Sequence, residues 1–317
     1  MGRMGLALLR GRVGGGSWER TGARLFQVGD GVVLCNWEKF YRKFWHLFLL
    51  RRREKMCIMK TITGFMDLIL TEKRALHMEY GLQMYSLRDI TGEDLKGALE
   101  KVAKIGYKGV EFAGFFGHSA EEVKSWLDEN GLTVTSTHTG WKEVADDFEK
   151  TVAYHKTIGN KNIIVPGADL SCEKSIAEFV DFVNEFQPKL EKEGIALHYH
   201  NHHREFLPNK DGQIPLDELA KRTKVNFQID TYWTFVARRD PVEVITRLKD
   251  RISFIHLKDG SGGFRGYSLG SGSAPVKAVW ERAKELGFYM VVESEGCEHD
   301  GVSEVTRCFE YLKSLDK

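Results

Sequence analysis

The chain has 317 residues, of which 42% are hydrophobic and 29% charged, enough apolar material for one large core or two smaller ones. Its five cysteines are an odd number without a CxxC pair, which argues against a disulfide framework and a zinc ribbon. We expect reduced thiols and therefore predict a cytoplasmic protein. The net charge of +1 is the sum of a basic and an acidic segment. By itself it therefore does not exclude an acidic or a basic partner.

The first of these segments is basic. Residues 1–77 contain 15 Lys and Arg against 6 Asp and Glu, which leaves 31 against 39, a net charge of −8, for residues 78–317. Residues 1–77 show no sustained strand or helix period. Their longest apolar run, residues 44–50, is far shorter than the ~20 residues of a membrane span. We therefore predict no membrane partner.

Three interpretations of residues 1–77 fit this composition: a basic amphipathic arm, an Arg-rich targeting presequence, or an upstream extension outside the working protein. We favour the third, because the pattern becomes regular abruptly at Met78, where MEYGLQMYSLRD begins. The predicted organisation is a disordered or spurious extension at 1–77 and a folded domain at 78–317.

From Tyr80 onward, short apolar runs alternate with amphipathic helical segments. Eight such runs are predicted to be strands: 80–87, 109–114, 133–140, 162–168, 196–202, 226–233, 253–259 and 288–296. Capping residues mark the helices between them. The marked boundaries are Thr91 as an N-cap, Ser119 with Glu122 as a capping box, Gly106, Gly131, Gly159 and Gly194 after helix ends, and helix starts near Pro241, Ala274 and Val302.

Alternating strands and helices predict βαβ units with a parallel sheet, either open and doubly wound or closed into a barrel. Eight units between Met78 and Lys317 match the usual length of ~250 residues for a (β/α)8 barrel. No GxGxxG follows the first strand, so the main sign of a dinucleotide-binding sheet is missing. The predicted fold is therefore α/β, a (β/α)8 TIM barrel.

In such barrels the chemistry lies at the C-terminal ends of the strands. Four residues near these ends are predicted to contact substrate: Gln83, Glu111, His138 and Trp233. Strands five to eight carry a denser set of carboxylates and imidazoles. These include His198, His200, His202, Glu205, Asp230, His256, Lys258, Glu293 and Glu295. A single histidine on a strand is more often structural, but a converging set of nitrogen and oxygen ligands suits one divalent cation such as Mn²⁺, Co²⁺, Zn²⁺ or Mg²⁺.

Four motifs, YHNHHREF, QIDTYW, FIHLKD and VVESEG, follow one another along the later strands. With them, residues 78–317 resemble the xylose-isomerase-like (β/α)8 superfamily of sugar-phosphate isomerases and epimerases, which also includes endonuclease IV. The resemblance implies one divalent metal ion held by a Glu, an Asp, a His and a second Glu. Asp230, His256 and Glu293 match the last three positions.

The first ligand position departs from the family pattern. His198 stands where the fifth strand usually carries glutamate, and His200 and Glu205 are the other candidates. The predicted metal ligands are His198, His200, Asp230, His256 and Glu293.

The resemblance also implies chemistry next to the carbonyl of a ketose, an inosose or a keto-sugar, by isomerisation or epimerisation. Glu293 is the expected base, with Glu205 or a histidine such as His202 as its partner. Lys258 is expected to balance negative charge that develops on the substrate, or else to form an ordinary salt bridge with Asp259. Elimination from a keto-sugar, as in the family's inosose dehydratases, is an alternative reaction for the same groups.

Two alternatives come from other functional classes. An endonuclease is disfavoured because binding a phosphate backbone demands positive charge, whereas residues 78–317 are net negative. A catalytically inactive sugar-binding barrel would need no metal ion. We expect a carbohydrate substrate, no nucleic-acid partner and, as the family implies, homo-oligomerisation.

Two further groups of residues are candidates for substrate contacts. The glycine-rich segment 260–274 is long enough to close over substrate, and its backbone N–H groups together with Arg265 could bind a phosphate. Aromatic side chains near the strand ends could supply an apolar face for a sugar ring, or pack in the core. Besides Trp233 these are Phe115, Trp141 and Tyr232.

Overall fold

The computed structural model describes residues 23–28, 31–36, 79–296 and 299–317. The chain divides into two compact units, Met1–Ala75 and Leu76–Lys317. In the first, strands β1 (Ala23–Val28) and β2 (Gly31–Asn36) pair antiparallel. Both lie in residues 1–77, where the sequence analysis found no sustained strand period. The apolar run 44–50 lies outside the described residues, and the assignment of 1–77 to an extension stays a prediction.

The second unit is a closed parallel barrel of eight strands, which confirms the predicted fold. Each predicted run overlaps one barrel strand, and all eight strands end before the run does, because the chain then leaves the barrel wall. The strands are β3 (Gly81–Gln83), β4 (Gly109–Phe112), β5 (Thr133–His138), β6 (Asn162–Val165), β7 (Ala196–His200), β8 (Asn226–Asp230), β9 (Ile252–Leu257) and β12 (Tyr289–Val292). The last of these pairs with both β9 and β3 and closes the barrel.

A short antiparallel ribbon of β10 (Asp259–Gly260) and β11 (Gly266–Tyr267) lies between β9 and β12 in the chain. Short 3₁₀ turns cover Met84–Leu87, Arg204–Phe206 and Lys249–Arg251. The described helices are α1 (Arg88–Thr91), α2 (Leu95–Ile105), α3 (Ala120–Asn130), α4 (Trp141–Asp146), α5 (Phe148–Thr157), α6 (Glu173–Lys192), α7 (Pro215–Arg222), α8 (Thr231–Val236), α9 (Pro241–Arg247), α10 (Val276–Leu286) and α11 (Gly301–Leu315).

The helix caps agree with the sequence except at one position. Ser119 and Glu122 form the expected capping box at the start of α3. Thr91, in contrast, is not an N-cap, because it is the last residue of α1. Asp94 caps α2 instead, where its carboxylate accepts a hydrogen bond of 2.8 Å from the N–H of Gly97. The short helix α1, which the sequence analysis does not predict, thus precedes α2.

The apolar core lies between the barrel wall and the surrounding helices. Leu82, Val110, Ile163 and Leu197 are fully buried on their strands, and apolar helix faces pack against the strands from outside. Polar residues are buried at intervals along the same strands, for example Glu111 on β4. Those buried polar groups need partners inside the barrel, so they direct attention to its interior. Among the described residues, no helix is long and apolar enough to cross a membrane.

Candidate active site

Four buried side chains meet at the C-terminal ends of neighbouring strands. His200 ends β7, Asp230 ends β8, His256 is the penultimate residue of β9, and Glu293 follows β12 directly. One ligand atom of each lies within 4.8 Å of the ligand atoms of the other three. The barrel closure explains the arrangement, since β8 pairs with β9 so that Asp230 stands opposite His256.

Both ring nitrogens of His256 contact carboxylates. Its Nε2 lies 2.7 Å from an oxygen of Glu111, and its Nδ1 lies 3.2 Å from an oxygen of Glu293. Burial would lower the pKa of His256, but the two carboxylates raise it to about 10. Near neutral pH the metal-free ring therefore carries a proton on both nitrogens, and a bound cation would take the place of the Nδ1 proton while Nε2–H still donates to Glu111. This is the arrangement in which a carboxylate fixes the tautomer of a metal-binding histidine.

Glu111 is the centre of a buried hydrogen-bond network beneath the cluster. It accepts hydrogen bonds of 2.6 Å from the side-chain amides of Gln83 and Gln228, and a further one from the hydroxyl of Ser136. His138 Nε2 lies 3.0 Å from the same carboxylate. Burial would raise the pKa of Glu111, but the adjacent histidines hold it well below its usual range.

This network also orients His200. The Oε1 of Gln228 lies 2.9 Å from Nδ1 of His200 and 2.9 Å from Nε2 of His138. Because Nδ1 of His200 is engaged there, Nε2 is the nitrogen that it can present to the cluster. Gln228 was not among the residues singled out in the sequence. The period of two along a strand could have found it, since Gln228 and Asp230 share one side of β8.

The two carboxylate oxygens of Asp230 differ, since one accepts a hydrogen bond and the other has no hydrogen-bond partner. Its Oδ1 accepts a hydrogen bond of 2.8 Å from the N–H of Trp233 and so caps α8. Its Oδ2 is buried without a hydrogen-bond partner and lies 3.8 Å from the Nζ of Lys258. Burial raises the pKa of Asp230 to about 6. A buried carboxylate oxygen of this kind is costly unless a cation or donor satisfies it, so the residues present fit a bound cation.

Lys258 forms ion pairs with the surrounding carboxylates. Its ammonium lies 3.3 Å from Glu293 and 3.0 Å from Glu295, and it stands 4.8 Å from the centre of the Trp233 ring. Burial alone would lower its pKa, but the carboxylates raise the pKa above its usual value. Lys258 therefore stays protonated and can balance negative charge, but it cannot serve as a base.

The alternative pairing of Lys258 with Asp259 does not occur. Asp259 instead accepts hydrogen bonds from the backbone N–H groups of Gly260, Gly270, Gly272 and Ala274. It thereby ties the two ends of the glycine-rich segment together. Three of the segment's N–H groups that a phosphate could have used, those of Gly270, Gly272 and Ala274, are thus engaged by this carboxylate.

Aromatic rings line one side of the cluster. His202 lies 5.0 Å from His200 and 5.9 Å from Trp233, measured between ring centres. Phe264 in the glycine-rich segment is 73% exposed and lies 5.8 Å from Trp233. Burial lowers the pKa of His202, so its ring is neutral near pH 7. A neutral imidazole beside the cluster can accept or donate a proton.

Other predicted residues lie outside the four-residue cluster. His198 is buried among Asn162 and Phe254, and burial lowers its pKa to about 4. Glu205 accepts hydrogen bonds from the hydroxyl of Tyr199 and the N–H of His202, at 3.0 and 2.9 Å. Both carboxylate oxygens of Glu205 are therefore engaged in holding the loop after β7.

Several predicted substrate contacts are enclosed. Gln83 and Glu111 have no exposed surface, so in this structure they hold the cluster residues in position and do not face a substrate. Trp141 packs against Phe179 and Phe182, and the hydroxyl of Tyr232 donates to the carbonyl of Gly263. Phe115 packs on Phe112 and Tyr154. Trp233 is the ring of this group that lies beside Lys258 and His202.

A closed eight-stranded barrel with a buried His, Asp and Glu cluster at the C-terminal ends of its strands defines a class of TIM-barrel enzymes with a metal-type site. The family follows from the sequence comparison. Residues 99–314 match the model of the xylose isomerase-like TIM barrel family, and the chain belongs to that family.

Individual relatives divide between two kinds of sugar chemistry. The structure of a sugar phosphate isomerase/epimerase from Parabacteroides distasonis ATCC 8503 has a TM-score of 0.67 and 26% identity, covering 76% of this chain and all of that one. An inosose dehydratase from Lacticaseibacillus casei is 23% identical over 62% of this chain and 81% of its own length. A 3-keto-D-glucoside 4-epimerase from E. coli, at 16% identity and a TM-score of 0.57 over 75% of this chain and 99% of that one, shares the fold.

Proposed function

We propose that residues 78–317 form a divalent-metal-dependent sugar isomerase or epimerase, which removes a proton from the carbon next to the carbonyl of a ketose, an inosose or a keto-glycoside. One observation carries the proposal: a buried cluster of two imidazoles and two carboxylates in which Oδ2 of Asp230 has no hydrogen-bond partner. The sugar isomerases, epimerases and dehydratases among the relatives support it.

His200, Asp230, His256 and Glu293 are the residues that would hold the ion. Two imidazoles with two carboxylates suit Mn²⁺, Co²⁺ or Zn²⁺, and less closely Mg²⁺, which prefers oxygen ligands alone. When bound, such an ion would polarise a ketone and its neighbouring hydroxyl and so make the adjacent C–H bond more acidic. On this assignment His200 takes the position of the usual fifth-strand glutamate.

Glu293 is the proposed base. Burial by itself would raise its pKa, but Lys258 and His256 hold the pKa of Glu293 well below its usual range, so its carboxylate is ionised near neutrality. The carboxylate has little exposed surface, and a proton that it takes from carbon is shielded from bulk water. Lys258 remains charged beside it and balances the negative charge that develops when the proton leaves carbon.

His202 is the proposed second proton-transfer group. Its neutral ring lies against His200 and Trp233, whereas Glu205 is fully engaged by Tyr199 and by the backbone of His202. We therefore prefer His202 to Glu205 as the partner of Glu293. Trp233 is 6% exposed and packs beside Lys258 and His202, so we assign it to positioning these two groups.

The experiment is a solvent-exchange assay. Full-length protein with Mn²⁺ or Co²⁺ is incubated in D₂O with a panel of ketoses, inososes and 3-keto-glycosides, and deuterium uptake next to the carbonyl is followed by NMR. We expect exchange with at least one substrate, loss of exchange on adding a chelator, and a fall of at least about a hundredfold in Glu293→Gln, as is usual for loss of a general base.

Glu129→Gln is the matched control, because it removes the same charge from an exposed carboxylate of α3 that pairs with Lys96 at 3.1 Å. This variant should exchange at the unaltered rate. Full exchange in Glu293→Gln would show that another group is the base. Absence of stoichiometric divalent metal, with no exchange across the whole panel, would instead favour a sugar-binding barrel without catalysis.

Elimination is the second candidate reaction, and the inosose dehydratases among the relatives favour it. Both reactions begin with loss of the same proton, and they differ in whether a group on the β-carbon then leaves, as water from an inosose or as the free aglycone from a 3-keto-glycoside. Loss of a hydroxyl yields an enol that becomes a dicarbonyl, which is detected by mass spectrometry as a loss of 18 mass units. Exchange without this mass loss and without release of an aglycone would identify the isomerase or epimerase.

A further inference from the structure

The exposed apolar side chains of the barrel lie on the rim that carries the cluster. Among the described residues, the exposed large hydrophobic side chains are Tyr85, Phe116, Leu207 and Phe264. Each lies in a turn or loop that follows a barrel strand, namely β3, β4, β7 and β9. A single exposed apolar residue is ordinary, but the location of all four on one rim indicates a contact surface there. Phe264 is the most exposed of them, at 73%.

Phe264 stands at the tip of the β10–β11 ribbon, and hydrogen bonds hold this tip in place. The hydroxyl of Tyr232 donates to the carbonyl of Gly263 at 2.7 Å and accepts from the N–H of Gly262 at 3.2 Å. The approach is so close that a Cβ at Gly260 would lie 2.4 Å from the same hydroxyl, so only glycine fits there. The ring of Phe264 is therefore presented by a fixed backbone, and a ligand that contacts it does not have to order the loop first.

The ribbon contacts the groups that surround the cluster. The ring centre of Phe264 lies 5.8 Å from that of Trp233, and the Trp233 ring centre lies 4.8 Å from Nζ of Lys258. The returning strand of the ribbon packs on the segment after β12, where a Cβ at Gly266 would lie 3.1 Å from the carbonyl carbon of Glu295. The carboxylate of Glu295 lies 3.0 Å from Lys258, and its side chain is 29% exposed. Contacts thus run without a break from Phe264 to Lys258, which pairs with the proposed base, and solvent reaches this ion-pair group at Glu295.

His203 adds a polar group beside the exposed ring. The ring centres of His203 and Phe264 are 5.1 Å apart, and the two planes meet at 81°. The ring nitrogens of His203 form no hydrogen bond with any residue that the structure describes. Burial lowers the pKa of His203, and the two charges next to it, Arg204 and Glu205, have opposite signs. The neutral ring therefore offers one donor and one acceptor to an uncharged ligand. An apolar face beside a neutral imidazole suits a sugar ring, which has both a C–H face and hydroxyl groups.

We propose that Phe264 and His203 form a subsite for a second sugar ring, which a glycosidic bond joins to the sugar that reacts at the cluster. The proposal rests on the function proposed above and narrows it, because it favours a keto-glycoside of the disaccharide type over a free ketose or inosose. The C–H face of the second ring stacks on Phe264, and a hydroxyl group of that ring hydrogen-bonds to the imidazole of His203. A free ketose or inosose has no second ring and would leave Phe264 uncovered.

The binding experiment uses the full chain without added metal and measures dissociation constants by saturation-transfer NMR. The probes are cellobiose, maltose and lactose, and the reference for each is the methyl glycoside of its non-reducing sugar. We expect at least one disaccharide to bind about three- to tenfold more tightly than its reference, as one stacked ring implies. Phe264→Ser should remove this difference, whereas Phe264→Tyr, which keeps the ring, should retain it.

Three comparisons control this measurement. Phe116→Ser makes the same change at a phenylalanine of the rim that is 50% exposed and lies outside the ring contacts leading to Lys258, so it should leave disaccharide binding unchanged. Because Phe264 is largely exposed, Phe264→Ser should keep the wild-type Tm, which separates loss of the contact from loss of the fold. Phenyl β-glucoside has a second ring without hydroxyl groups, so Phe264→Ser should weaken its binding and His203→Ala should not. His203→Ala should weaken the disaccharide about threefold or more.

Equal binding of every disaccharide and its methyl glycoside, or equal losses in Phe116→Ser and Phe264→Ser, would overturn the proposal. Tighter binding of phenyl β-glucoside than of every disaccharide would also overturn it and identify the occupant as an aromatic group. None of these measurements depends on turnover, so failure here is distinguishable from failure of the exchange assay. With an active enzyme, a keto-disaccharide should have a lower KM than the methyl keto-glycoside, and Phe264→Ser should raise the first KM to the second.

Discussion

Replacing Glu111 by glutamine tests whether the buried network positions the cluster. The carboxylate of Glu111 accepts hydrogen bonds from Gln83, Gln228 and Ser136, and it holds Nε2 of His256 at 2.7 Å. Glutamine has nearly the same shape but only one acceptor oxygen, and its NH₂ group would face groups that donate. At least one donor loses its acceptor, and His256 loses the partner that fixes its tautomer.

The size of the effect follows from the burial of the pair. Glu111 and His256 are both fully buried, so removing one partner is expected to lower the free energy of unfolding by about 3–5 kcal/mol. The loss of an outer-shell carboxylate should also weaken metal binding about 10- to 100-fold. That factor corresponds to about 1.4–2.7 kcal/mol in binding free energy.

The assay combines urea unfolding of the metal-free protein with titration calorimetry of Mn²⁺ or Co²⁺. Leu99→Ala is the control, because it removes a fully buried side chain from α2, and a cavity of this kind costs ~2–5 kcal/mol without changing the cluster. If both variants lost similar stability and both kept wild-type metal affinity, Glu111 would only support the fold, and its positioning role would be refuted.

Two further predictions concern Asp230 and His155. Asp230→Asn keeps the side-chain oxygen that accepts the N–H of Trp233 but removes a buried charge, so the metal-free variant should melt at or above the wild-type temperature. The variant should also lose the increase in Tm that Co²⁺ gives the wild type, and a preserved increase would exclude Asp230 as a ligand. His155 is buried against Thr151, and burial lowers its pKa. Just below pH ~6.5 the unfolded state therefore binds a proton on this histidine that the folded state does not bind. The stability that neutral His155 contributes is thus complete above that pH and is lost as the pH falls, by up to about 1.4 kcal/mol per pH unit. Urea unfolding between pH 5 and 8 should show a shallower slope in His155→Gln, and an identical slope would contradict the assignment.

The barrel could be predicted because its signals are local. Each strand is a short apolar run closed by a turn or cap, and eight alternations with helices suit a closed parallel sheet. The failures occurred where local signals compete. Thr91 and Asp94 are both acceptable caps, and the short helix α1 determines which of them begins α2.

The site was predictable in its residue types and less so in their roles. Asp230 and Glu293 stand at strand ends, where the motifs and the barrel geometry already point to chemistry. His198 and His200 share one side of β7, so alternation cannot separate them. They differ in depth, since two residues along a strand are ~6.6 Å, and it is a ring nitrogen of His200 that lies within 4.8 Å of the ligand atoms of Asp230, His256 and Glu293.

The sequence by itself determined that this chain forms a (β/α)8 barrel with imidazoles and carboxylates at its rim, because period, capping and motif order are properties of neighbouring residues. Only the tertiary structure decided which of those side chains meet. Glu111 on β4 contacts His256 on β9 through the barrel interior. Lys258 pairs with Glu293 and Glu295 and not with its neighbour Asp259, and Glu205 holds a loop. Such contacts join residues distant in the chain, and barrel closure, strand register and burial select them.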